Sequence, residues 1–345
     1  MTVDYIIVGL GLAGIAFAEE LKEHKKSFVV YEDNSQNSSL VAGGMYNPVV
    51  LKRFTPVWNA NAQLQVAIPF YKKLEIYFNK KYIFPVDIYR VFKSIEEQNN
   101  WFIASDKLLL QDYMIPEVIK NGNANIIAPF DLGKLTDTGR IDVNKLISNY
   151  RAFLKEEDSL IQEKFDHHKI EFHNKKIKYN NLISDRIVFC EGFGVKQNKF
   201  FNYLPMREAK GELITIHAPQ LKINHLIKSA VFVLPLGDDM YKVGATFNWT
   251  DKTKIPTEEG RAELESKLRS VINCKYKVVD HTAGIRPTIK DRRPLVGTHP
   301  EYKQLSILNG LGTRGVMIAP LMAKKLYQYI EKKVQLEKEI SIDRF

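Results

Sequence analysis

Cysteine is scarce. The 345 residues hold two, Cys190 and Cys274, far apart in the chain. That excludes a disulfide scaffold and gives no ground to expect a cysteine-based zinc cluster or any other metal site. The expected compartment is a reducing one, the cytoplasm. No apolar run reaches the roughly 18 residues of a membrane-spanning helix, so no membrane role is expected. The apolar stretch from Tyr5 to Ala18 lacks a basic segment before it and runs into Glu19 and Glu20. It does not read as a signal peptide. Internal repeats, low-complexity tracts and a clean linker are also missing. Acidic residues are the minority, 40 Asp and Glu against 50 Lys and Arg, for a net charge of +10. Such an excess favours anionic partners, but the lysines are spread along the chain and often adjoin acids. They read as a solvated surface. Apolar residues at 45% and charged residues at 26% exclude a disordered or fibrous chain. The length suits one or two domains.

What is present begins with a short apolar run, Asp4 to Val8, of strand length. Gly9-Leu10-Gly11-Leu12-Ala13-Gly14 follows, then a helical pattern from Ile15 to His24. A second apolar run, Ser27 to Tyr31, ends in Glu32. This is a complete strand–turn–helix–strand opening. Gly9 permits the tight turn, Gly11 lets backbone approach a pyrophosphate, and Gly14 allows the helix to lie close to the sheet. The helix N-terminus, with Leu12 and Ala13, offers free N–H groups to phosphates. Glu32 stands where an acid accepts hydrogen bonds from ribose hydroxyls and repels a 2′-phosphate. The glycine spacing alone is a weak signal; with strand, helix and terminal acid in place it is a strong one.

Gly310-Leu311-Gly312-Thr313-Arg314-Gly315 repeats the spacing near the C-terminus, again between an apolar run and a helix that continues from Val316 to Lys333. No further strand is obvious, so this is not a second nucleotide unit. It supplies a helix N-terminus and a cation, Arg314, both of which favour nearby negative charge. Between the two turns, residues 164–189 read as strands with short turns. Residues 212–246 alternate as an antiparallel sheet does, and Glu258 to Ile272 reads as a helix.

Taken together these segments resemble the D-amino-acid-oxidase-type superfamily of FAD-dependent oxidoreductases, along nearly the whole chain. The N-terminal fingerprint with Glu32 resembles that family's ADP-binding unit. Ala42-Gly43-Gly44-Met45-Tyr46-Asn47-Pro48 resembles its isoalloxazine-contacting loop. Val188-Phe189-Cys190-Glu191-Gly192 resembles its phosphate-side strand end, Lys210-Gly211-Glu212 the entry to its substrate sheet, and Gly244-Ala245-Thr246 the exit. Ala283-Gly284-Ile285-Arg286-Pro287-Thr288, with Asp291 and Pro294-Leu295-Val296-Gly297, is the most specific match, and Gly310 to Pro320 matches the flavin-closing turn.

The resemblance implies non-covalent FAD, contacted by Gly9, Gly11, Leu12, Ala13, Gly14, Glu32, Gly43, Gly44, Met45, Gly192, Gly310, Gly312, Thr313, Arg314, Gly315 and Val316. It implies that Arg286 grips a substrate carboxylate, with Phe232 and Tyr46 as further substrate contacts and Arg314 supporting negative charge on the ring. A guanidinium matches a carboxylate as a planar fork. Phe232 stands where relatives often carry a tyrosine, which leaves amino-acid specificity open. Lys242 resembles in placement a lysine that promotes oxygen reaction, although a strand lysine is ordinarily exposed. Cys190 reads as a buried small residue. His217 and His281 are general-base candidates by residue type alone.

The implied fold is a Rossmann-type, GR2-like FAD-binding domain interleaved with a mostly antiparallel substrate domain. The expected division is 1–75, 140–205 and 280–345 for the first and 76–139 and 206–279 for the second. The implied reaction is oxidation of a C–N bond in a small amino acid or secondary amine, with O2 or another electron acceptor. One alternative is the same chemistry on a carboxymethylaminomethyl group of a tRNA wobble uridine. It is not favoured, because no basic stripe with interleaved aromatics stands out and no methyltransferase segment is attached. An alternative of another class is a flavin-binding module without turnover.

Overall fold

The structure is a computed structural model that describes residues 1–345. Two eight-stranded sheets dominate it. In the first, Leu160–Ile161, Phe28–Tyr31, Thr2–Val8, Leu182–Phe189 and Leu305–Asn309 run parallel in that order. Their register is level: Val8 lies opposite Tyr31 and Phe189, and Phe189 opposite Ile307. Three strands therefore end at one height, and the fourth runs two residues further, to Asn309. Toward that end, at Tyr5–Val8, Val29–Tyr31 and Ile187–Phe189, the strands are wholly apolar because both faces are covered. Ile7 and Val188 face the first helix, Leu12–Glu23, and the last long helix, Gly315–Lys332. Ile6, Val8 and Phe189 face a second apolar cluster with Ile177 and Phe201.

The second sheet takes its strands from two stretches of chain. Its order is Lys277–Arg286, Ala209–His217, Met240–Gly244, Phe232–Gly237, Leu226–Lys228, Ile88–Val91, Leu132–Leu135 and Met114–Ile119. All neighbours are antiparallel except Leu226–Lys228 with Ile88–Val91. Alternation sorts its faces. Ile214, Ile216 and Val243 pack against Leu264 and Leu268 of the helix Glu258–Arg269. Leu213, Phe232 and Leu234 turn to the other side, toward Val41 and Trp101. The Leu40–Pro56 stretch, irregular by sequence, is one turn of helix at Ser38–Val41 followed by three two-residue strands. No helix is long and apolar enough to cross a membrane.

Candidate active site

A cavity of 660 Å³ opens where the carboxyl ends of the parallel strands meet the Leu213 face of the antiparallel sheet. This is where open α/β sheets place ligands, and the volume lies in the range of cofactor and small-molecule sites. Gly9, Glu32, Cys190 and Asn309 reach the lining directly from those strand ends. Gly9 has φ +103, and a Cβ there would stand 2.6 Å from the Cys190 carbonyl oxygen, so no other residue fits the turn. The first helix starts after Gly11 and the last after Arg314. Neither start is capped by a side chain, and both lie in the lining. Their first N–H groups are thus open to an anion.

Of the residues anticipated as cofactor contacts, Gly9, Gly11, Leu12, Ala13, Glu32, Gly43, Gly44, Met45, Gly192, Gly312, Thr313, Arg314, Gly315 and Val316 all line this one cavity. Gly14 and Gly310 stand behind it. A Cβ on Gly14 would overlap the Gly9 carbonyl oxygen, and one on Gly310 would press on Ile289 and the Leu295 amide. They shape the turns rather than the surface. Tyr46 is placed elsewhere than anticipated: it is 7% exposed and sits in the core with Ile83 and Ile141, outside the lining. Two-residue alternation explains it, because Met45 faces the cavity and its neighbour must face away. Burial raises the Tyr46 hydroxyl to about 12.

Glu32 is held by Arg151, whose Nε and Nη2 donate to its two oxygens at 3.0 and 2.8 Å. The carboxylate is therefore oriented, with lone pairs left over for hydroxyl donors. Asn309 ties two turns together: Nδ2 donates to the Gly192 carbonyl at 2.9 Å and Oδ1 accepts from the Gly310 amide at 2.7 Å. Glu191, beside Gly192, is 2.7 Å from His167 Nε2 and accepts from Asn198 at 2.7 Å. Arg151, Asn309 and His167 were not singled out by sequence. The only local signal was Asn309 at a strand end before glycine. Burial pushes the Cys190 thiol up, and Cys274 lies outside the lining.

At the other end, Arg286 closes the strand Lys277–Arg286. Gly211 and Gly284 lie opposite each other in the register; the arginine side chain runs over the bare backbone at Gly211, while Val41 covers Gly284. Nη1 donates to the Lys210 carbonyl at 3.2 Å, Nη2 to the Thr246 carbonyl at 3.1 Å, and the guanidinium stands 4.0 Å from the Phe247 ring centroid. No carboxylate is within ion-pair distance. Burial lowers its pKa to about 10, so it is a cation at neutral pH. Phe232 lines the same region. Arg314 also lacks an acidic partner, and burial together with Arg292 lowers its pKa. Neither His217 nor His281 reaches the cavity; His281 Nε2 lies 2.9 Å from Glu212. Lys242 is not the exposed strand lysine anticipated. It shares the face of Leu234, which packs with Val41, so the ammonium is partly buried, 3.5 Å from the Val41 carbonyl, with its pKa lowered by burial.

The shape has counterparts. Glycine oxidase from Geobacillus kaustophilus superposes with a TM-score of 0.81 at 16% identity, over 97% of this chain and 96% of that one. L-proline dehydrogenase from P.horikoshii superposes at 0.79 and 15% identity, over 97% and 94%. At such identities the likeness carries the fold. In sequence, glycine oxidase of Bacillus subtilis (strain 168) is 27% identical over 134 residues, 37% of this chain and 36% of that protein. The tRNA 5-methylaminomethyl-2-thiouridine biosynthesis bifunctional protein MnmC of Campylobacter concisus (strain 13826) is 26% identical over 318 residues, 87% of this chain and 48% of its own length. The chain thus spans between 36% and 48% of the length of these two curated relatives. The family model described as FAD dependent oxidoreductase, DAO, matches residues 4–329, so the uncapped helix starts, the bound acid and the glycine turns belong to a chain of the DAO family of FAD-dependent oxidoreductases.

Proposed function

We propose that this chain oxidises the C–N single bond of a small amino acid or secondary amine to an imine, which water then hydrolyses. FAD, held without a covalent bond, would supply the hydride acceptor, with O2 or another oxidant as the final electron acceptor. The observation that carries this reading is Arg286: a cation in the cavity wall, its fork anchored on two carbonyls and no acid beside it. It fixes a substrate carboxylate and with it the position of the adjacent C–H; positioning is a large part of the rate. Phe232 and Leu213 wall the same space with apolar surface and limit water there. Arg314 and the helix start behind it supply a positive field where negative charge develops. Between Gly211 and Arg286 the lining holds no acid and no histidine. The substrate ammonium therefore loses its proton to solvent before reaction, and its lone pair assists departure of the hydride.

The test is the visible spectrum of the purified protein under anaerobic addition of amino acids and N-methyl amines. A flavin absorbance pair whose long-wavelength band bleaches with a carboxylate-bearing amine is the expected result. Arg286→Ala should cost about 2–5 kcal/mol toward such substrates, about 30-fold or more in kcat/KM. Equal loss toward uncharged amines removes the assigned role, and a flavin that no amine reduces favours a module without turnover.

A second reading is the same chemistry on a carboxymethylaminomethyl group of tRNA. It draws on the relatives named for tRNA 5-methylaminomethyl-2-thiouridine biosynthesis and on one surface feature. Phe247 in the lining is 58% exposed and Trp249 beside it 48%, with the Arg207 guanidinium 5.3 Å from the Trp249 ring. Unstacked bases use such aromatic and arginine planes. A salt-sensitive tRNA gel shift, lost in Trp249→Ala, is what this reading requires.

A further inference from the structure

Arg286 has a counterpart across the cavity. Lys228 ends the strand Leu226–Lys228, pairs with Phe232 in the register, and lines the cavity on the same face as that ring. No carboxylate lies within ion-pair distance of its ammonium, and no hydrogen bond holds it. Its charged neighbours are all cations: Arg90 opposite it on the strand Ile88–Val91, Lys93 and Lys267. Arg90 is neutralised by Glu97 and Lys267 by Glu263. Lys93 has no ion pair either but is exposed to solvent, whereas Lys228 is partly buried and uncompensated. A partly buried cation among cations costs free energy, and an apolar residue would line this wall with less. The position is built for something negative. The lining between Gly211 and Arg286 carries Lys228, Lys267 and Arg286, while the acids Glu32, Asp33, Glu163 and Glu191 all follow strands of the parallel sheet.

Strand order sets the spacing. From Lys277–Arg286 to Leu226–Lys228 is four strand intervals, with Phe232 one strand short of the latter. That is about 19 Å across the strands; the register sets Lys228 level with Leu213 and Arg286 level with Ala209, four residues or about 13 Å along, so the backbones stand roughly 23 Å apart and two long side chains reach inward from them. A single short amino acid satisfies one cation and leaves the other bare. We propose that Lys228 forms a second anion subsite, so that the substrate is an amine carrying a carboxylate for Arg286 and a second anionic group, carboxylate or phosphate, at its far end. The inference rests on the amine-oxidation reading of the cavity and narrows its substrate class.

The experiment uses the FAD-loaded protein and three matched series of unreactive ligands: straight-chain monocarboxylates, α,ω-dicarboxylates and ω-phosphonocarboxylates of four to ten carbons. Binding is followed by perturbation of the visible flavin band and, independently, by calorimetry. Above a threshold length, a doubly anionic ligand should bind at least tenfold tighter than the monocarboxylate of equal length. Its two arms show whether carboxylate or phosphate is preferred. Lys228→Met should erase the advantage and leave monocarboxylate affinity in place, Lys228→Gln should do the same, and Lys228→Arg should retain it. Equal affinity of singly and doubly charged ligands at every length, or an advantage that survives in Lys228→Met, overturns the subsite. A calorimetric preference that leaves the flavin band unmoved by any carboxylate counts against the amine-oxidation reading while upholding the subsite.

Discussion

Arg286 owes its place to a residue with no side chain. A Cβ on Gly211 would overlap the guanidinium, and the obstacle is the mobile end of a side chain, not backbone. Gly211→Ala should therefore leave the melting temperature within a few degrees of wild type while raising KM for carboxylate-bearing substrates at least tenfold. A KM that stays put would show that the arginine does not depend on this bare patch. Lys228 makes a second residue-level prediction. Burial, together with Arg90, Lys93 and Lys267, lowers its pKa to about 8. Loss of its proton removes the charge, so any preference for doubly anionic ligands should fade as pH rises through 8. Arg286, at about 10, keeps its grip on a single carboxylate over that interval. A preference constant from pH 7 to 9.5 would contradict this account.

Elements place these side chains. The first turn and helix are one rigid unit because Gly9 takes a φ of +103 and Gly14 lies against its carbonyl. At Gly14 the conflict is backbone against backbone, with nothing flexible to yield. Gly14→Ala should cost about 1–3 kcal/mol by overpacking, seen as a lower melting temperature together with a reduced flavin-to-protein ratio. Full flavin occupancy at unchanged stability would mean that the helix start tolerates displacement. The antiparallel sheet works by register. The bare backbone of Gly211 makes the arginine's bed, and Lys228 opposite Phe232 faces the cavity with that ring. A one-residue slip would turn each of them to the helix-covered face.

At the scale of the whole molecule, the cavity joins the parallel sheet's strand ends to the face of the other sheet. A ligand spanning both should stabilise the folded chain by mass action, by about 2.7 kcal/mol at a hundred times its Kd. Melting temperature should climb with added FAD once the protein has been stripped of flavin. Indifference to FAD would remove the cofactor from this cavity. The +10 net charge acquires a local meaning as well. Most lysines are solvated, but Lys228, Arg286 and Arg314 face the cavity without acidic partners.

The nucleotide turn is legible in the sequence because all its parts are contiguous. Strand, glycine spacing, helix and Glu32 lie within about thirty residues, and local backbone geometry decides what they can do. The alternating runs of residues 212–246 were readable for the same reason. Partnership is different. Arg151 reaches Glu32 across 119 residues, and Arg90 lies near Lys228 across 138. Whether a cation is neutralised, whether Lys242 is covered, and whether Tyr46 meets the cavity or the core depend on which distant segments fold together. Short-range spacing carries no information about that, because charge compensation and burial are properties of neighbours in space. Tertiary packing alone left Arg286 and Lys228 as unpaired cations on either side of Phe232.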